Sequence, residues 1–189
     1  PLLRLSALGC PGDQFLTFAP YFPEYKVFVE SAGAQLVAVP ARLEDFQIDL
    51  PPWRPPSPPR TKMVLLTNPN NPTTTVFSRE EMTMLAEFVI EHDLVAVVDQ
   101  AFEDFTFEHP MIAPAAMEGM LSHTVTVLLG IQGFGLSGYR VGWIIADDTV
   151  MDVLYGCAIS VVGQRIRHPS RRSSRHLRIL RSWSVCTGL

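Results

Sequence analysis

Met63-Val64-Leu65-Leu66-Thr67-Asn68-Pro69-Asn70-Asn71-Pro72 starts as an unbroken apolar run and stops on a string of asparagine and proline. A short run rich in Val and Leu, with no in/out alternation, reads as a strand buried on both faces, as in a parallel sheet. The Asn/Pro string after it cannot extend a strand or a helix and suits a turn. The period then changes. Ser78 and Glu81 form a Ser-x-x-Glu capping box. Met82, Leu85, Ala86 and Val89 follow at i, i+3, i+4 and i+7, which gives a helix one apolar stripe. Leu94–Asp99 is apolar again and reads as the next strand.

The same rhythm extends in both directions. Gln35–Val39, Thr124–Leu129 and Val141–Ala146 are further strand candidates, and Phe22–Ala32 and Asp148–Ala158 are helix candidates. Strands alternating with helices predict an α/β fold, a mainly parallel sheet flanked by helices. Two stretches break the pattern. Residues 51–59 contain six prolines in nine positions, so 51–60 reads as a stiff polyproline-type linker. Its Pro55-x-x-Pro58-x-Arg60 also matches a pattern that docks in aromatic-lined grooves, which leaves as one alternative a non-enzymatic interaction module working through this linker or through the Arg-rich tail described next.

The second break is one of charge. Residues 1–163 hold 19 acidic residues against 8 basic ones, whereas 164–189 hold seven arginines and no acid. The expected organisation is one α/β domain over 1–163 and an Arg/Ser-rich tail over 164–189. The tail has one tryptophan and no run of aromatics on which bases would stack, so it reads as solvated and nucleic acid is not the expected partner.

The 189 residues are 47% apolar and 18% charged, enough to bury a core. No apolar stretch approaches the roughly 18 residues a membrane-spanning helix needs, so no membrane is expected. Pro1–Leu5 is short, apolar and lacks a basic segment before it, so it does not read as a signal peptide. The absence of an initiator Met suggests a chain that begins partway through something longer. Cys10, Cys157 and Cys186 are far apart and the five histidines show no paired spacing. That pattern gives no metal site and suits a reducing cytoplasm.

Four clusters stand in order: Pro20-Tyr21-Phe22-Pro23-Glu24-Tyr25; Asn68-Pro69-Asn70-Asn71-Pro72-Thr73-Thr74; Val97-Val98-Asp99-Gln100-Ala101-Phe102; and Gly133-Phe134-Gly135-Leu136-Ser137-Gly138-Tyr139-Arg140-Val141-Gly142-Trp143. Together they resemble class I/II aminotransferases of pyridoxal-phosphate (PLP) fold type I, with an incomplete large domain. The resemblance implies that Asp99 pairs with the protonated pyridine nitrogen, that Asn71 donates to the phenolic oxygen, that Phe22 stacks on the ring and that Arg140 grips the phosphate. It also implies an amino acid and a 2-oxo acid as substrates and a homodimer as the assembly. Singly, each residue has a plainer reading: Asn71-Pro72 a turn, Asp99 a helix cap, Arg140 a surface ion pair, Phe22 core.

The chain departs from the family where the chemistry needs an amine. The family's Schiff-base lysine stands eight residues before this arginine, and that place holds Gln132; Leu129 takes the place of the phosphate-binding serine. The only lysines are Lys26 and Lys62, outside any motif. Thr74 replaces the usual glycine of Asn-Pro-Thr-Gly, and Phe102 stands where many relatives have tyrosine. The segments expected to supply the glycine-rich phosphate loop and the small domain are also missing. The expectation is a domain that binds PLP weakly and without a covalent bond, and that has no catalytic residue. The alternative is an active aminotransferase subunit completed by a partner or a longer chain. A frame shift or alternative splice near residue 163 would account for the tail.

Overall fold

A computed structural model describes residues 10–48, 60–129 and 141–154, together with the backbone strands at 166–167 and 182–186. Its elements run β1 (Gln14–Ala19), α1 (Glu24–Ser31), β2 (Gln35–Pro40), β3 (Thr61–Thr67), α2 (Arg79–Glu91), β4 (Val95–Asp99), β5 (Thr124–Leu129), β6 (Val141–Ile145), α3 (148–154), β7 (Ile166–Arg167) and β8 (Ser182–Cys186). Two single 3-10 turns, Pro114–Ala116 and Leu121–His123, lead into β5. The sheet order is β2-β1-β3-β4-β5-β6-β8-β7. β1 to β5 are mutually parallel, and β6 turns the sheet antiparallel.

Alternation along the strands splits the core into two layers. Leu16, Phe18, Val64, Leu66, Ala96 and Val98 face Met82, Leu85, Ala86 and Val89 of α2. Phe15, Met63, Leu65, Val97, Val125 and Val127 face Tyr25 and Val29 of α1 and Met151 and Leu154 of α3. Successive side chains point to opposite faces, and here both faces are covered, so the strands read as continuous apolar runs.

The helix ends follow local chemistry. The Ser78 hydroxyl accepts the Glu81 N–H at 3.2 Å and the Glu81 carboxylate accepts the Ser78 N–H at 2.9 Å, closing the capping box. Glu81 is buried, and its other oxygen accepts from Arg42 Nη2 at 2.8 Å. α1 ends on Gly33 at φ 80°, with Gly33 N–H on the Glu30 carbonyl and Ala34 N–H on the Val29 carbonyl, a closing motif that needs a left-handed residue.

Several expectations need correction. The first helix starts at Glu24 rather than Phe22, because Pro23 sterically disfavours helical backbone at the residue before it. β1 went unnoticed in the sequence, although it pairs with both β2 and β3. The 164–189 tail, in which no strand was expected, carries β7 and β8, and β8 pairs along β6 from Val141↔Cys186 to Ile145↔Ser182. The alternation Ser182-Trp183-Ser184-Val185-Cys186 is a strand pattern, hidden by the irregular spacing of the apolar residues before it. Residues 155–158 of the expected last helix, the 51–59 part of the linker, Gln132 and Arg140 lie outside the described residues.

Candidate functional site

The carboxyl ends of β3 and β4 lie side by side, with Thr67 in register with Asp99. In an open α/β sheet, ligands bind beyond these strand ends. Asp99 is the last residue of β4 and is buried, 8% exposed. Its Oδ1 accepts the Ala101 N–H at 3.0 Å, and its Oδ2 accepts the Tyr25 hydroxyl at 3.2 Å. The bond to Ala101 is a local turn bond, and the residues that follow, 101–104, form a turn and not a helix, so Asp99 is no helix cap. Burial pushes the Asp99 carboxyl above its ordinary range, and the bonds from Ala101 and Tyr25 pull only partly against it. Among the described residues no cationic side chain forms an ion pair with it.

Tyr25 comes from α1, which packs on the same face. It is 1% exposed, and its hydroxyl also bonds the Thr67 hydroxyl. Burial, and then the nearby Asp99 charge, hold the phenol well above its usual range, so it stays protonated and can donate. Phe22 stands beside it, edge to face, with ring centroids 5.7 Å apart.

The loop after β3 carries Asn71. Asn68 N–H bonds the Asp99 carbonyl at 3.0 Å, and the Asn70 amide donates to the Pro20 carbonyl at 3.1 Å, so the loop is tied to β4 on one side and to the Phe22 segment on the other. Within the loop, Asn70 N–H meets the Thr75 carbonyl at 2.8 Å and Thr74 N–H the Asn70 carbonyl at 2.9 Å. Asn71 is half-buried and shares the wall of an open cleft of about 1150 Å³ with Phe102, Phe105, Phe107 and His109. Asp99 and Phe22 do not line that cleft. The structure thus joins Phe22 to Asp99 through Tyr25 and sets Asn71 on the adjoining loop.

The profile of the family described as aminotransferase class I and II matches residues 2–166. The chain belongs to the class I and II aminotransferase family. An aspartate aminotransferase of Musicola paradisiaca is 30% identical over 171 residues, 86% of this chain and 43% of that protein. A double mutant of the Thermus thermophilus aspartate aminotransferase superposes with a TM-score of 0.81 at 29% identity, covering 86% of this chain and 42% of the other. The N-succinyldiaminopimelate aminotransferase of Mycobacterium tuberculosis superposes with a TM-score of 0.79 at 26% identity, covering 85% and 42%. The mainly parallel sheet is therefore that of a fold-type-I aminotransferase large domain. This aminotransferase-family chain spans less than half the length of each of these relatives.

Sequence reasoning named Phe22, Asn71 and Asp99 but gave no role to Tyr25 or Thr67. Tyr25 stood in the first quoted cluster, and its burial beside Asp99 depends on how α1 packs across the sheet. Among the described residues no helix is long and apolar enough to cross a membrane.

Proposed function

We propose that this chain is a PLP-binding domain of aminotransferase ancestry that holds the cofactor weakly and without a covalent link, and that it does not transfer amino groups by itself. The ancestral reaction moves an amino group from an amino acid to a 2-oxo acid. The observation that carries the reading is Asp99, a buried carboxylate with two donors and no cation paired to it among the described residues. A protonated pyridine nitrogen is the kind of partner such a carboxylate lacks. When bound, the cofactor supplies an electron sink for the carbon bearing the amino nitrogen.

The chain's own residues bind and orient. Asp99 holds a proton on the ring nitrogen, Phe22 offers an aromatic face, and Asn71 offers an amide donor to the phenolic oxygen. Arg140, known from sequence alone, matches the phosphate-gripping arginine. Gln132 stands where the family has its lysine, and a carboxamide nitrogen is neither a nucleophile nor a proton carrier. Binding and catalysis are therefore separable here. The scattered cysteines support a cytoplasmic reading, and a homodimer is the assembly proposed for the ancestral enzyme.

The test is a titration with PLP followed by borohydride reduction and mass spectrometry. Expected is saturable binding, lost in Asp99→Ala, with no reduction-stable adduct at Lys26, Lys62 or elsewhere. A stoichiometric adduct at one lysine overturns the reading. A second reading rests on the chain's spanning less than half of its relatives: an active subunit completed by a longer chain or a partner. An amino-acid-dependent half-reaction by the purified protein favours that one.

A further inference from the structure

We infer that Tyr25, held by Thr67, is the positioning residue for the Asp99 carboxylate, aiming it at the cation it is to pair with; this rests on the cofactor reading above. The three side chains come from α1, β3 and β4, and they are 42 and 74 positions apart in sequence. Thr67 and Asp99 are in register on neighbouring strands, and Tyr25 reaches them from the helix layer.

A phenol has one proton. When Tyr25 donates it to Asp99 Oδ2, the bond between Tyr25 and Thr67 must run the other way, with the threonine hydroxyl donating to the phenolic oxygen. The result is a directed relay, Thr67 to Tyr25 to Asp99. With Ala101 N–H on Oδ1, it fixes both carboxylate oxygens. Among the described residues, Tyr25 is the titratable group that touches Asp99. Its protonated state is secured by its own burial.

A tyrosine serving only to fill the core would tolerate loss of its hydroxyl without changing Asp99. A relay would not. The test follows the Asp99 carboxyl by 13C NMR through a pH titration of the full chain without cofactor, in the wild type and in Tyr25→Phe, Thr67→Val and Thr67→Ser. The Asp99 midpoint is expected to rise in Tyr25→Phe, to rise less in Thr67→Val, and to stay in place in Thr67→Ser, which keeps the hydroxyl. PLP titration at neutral pH is expected to show about tenfold weaker binding for Tyr25→Phe, since a hydrogen bond to a charged group is worth at least that factor. An unmoved Asp99 midpoint in Tyr25→Phe overturns the inference, as does equal PLP affinity of the two proteins. If Tyr25→Phe does not fold, the contrast of Thr67→Val with Thr67→Ser decides, and identical titrations overturn the relay. Should the wild type bind no PLP, the cofactor reading fails, while the NMR titration still decides the positioning role.

Discussion

Thr74 occupies a backbone position that its side chain disfavours, and replacing it should strengthen the fold. Its φ is 61°, in the left-handed region, where an L residue is disfavoured by about 1–2 kcal/mol and a β-branched one sits at the costly end. Thr74 is exposed, so no packing is lost with its side chain. Its N–H bond to the Asn70 carbonyl belongs to the backbone and survives any substitution. Its hydroxyl bond to the Thr73 carbonyl, 2.6 Å, is solvent-exposed and contributes little net. Glycine removes the steric cost but loses about 0.5–1 kcal/mol through the freer unfolded chain. Thr74→Gly is therefore expected to gain about 1 kcal/mol, with Thr74→Ala, which keeps a Cβ, falling between the two. Urea unfolding followed by circular dichroism should show the midpoint rising by about 0.5 M at unchanged slope, for a slope of about 2 kcal/mol per M. A glycine variant no more stable than the wild type would refute the reasoning, because it would mean that the loop is held in this conformation at no steric cost.

Three further outcomes are expected. Ser78→Ala removes the acceptor for the Glu81 N–H and should lower stability by about 1 kcal/mol in the same urea assay. Gly142→Ala would place a methyl 2.9 Å from the Leu128 carbonyl oxygen, between β5 and β6; it should cost about 1–3 kcal/mol and speed amide exchange along β5, read by hydrogen-exchange mass spectrometry. Asp99 fixes a pH dependence. Its folded pKa lies above the ordinary 3.8, so the folded state holds the proton more tightly than the unfolded chain. Stability is therefore unpenalised below 3.8 and falls as pH rises through the raised folded value. Asp99→Asn should close with the wild type in acid and exceed it at neutral pH, and the opposite trend in urea midpoints would contradict the burial assigned to Asp99.

How much of this was visible in the sequence depends on the range of each interaction. β3, β4 and β5 announced themselves through short Val/Leu runs, and α2 through a capping box only four residues wide. β1 did not, although Gln14–Ala19 is bounded by Gly12-Asp13 and Pro20, because its place is set by partners at 35–40 and 61–64. β8 was masked by the arginines around it. In the site, Asp99 and Asn71 were readable as strand-end and turn residues whose order matched a family. The Tyr25–Thr67 pair was not, since it exists only once α1 is laid across β3 and β4 in this register.

The same geometry sets how binding of a cationic ligand would couple to the stability of the fold. With no cationic side chain paired to it among the described residues, Asp99 is a burden on the fold, because burial disfavours its charge and the hydrogen bonds from Ala101 and Tyr25 compensate only in part. A bound cation reverses that sign: the carboxylate becomes one half of a buried pair whose donors are already in place. A ligand carrying a protonated ring nitrogen should therefore stabilise the chain most at neutral pH, where the buried charge costs most, and progressively less toward acid, where Asp99 takes up its own proton. That dependence runs through the Asp99 carboxylate and the bonds it accepts from Tyr25 and Ala101.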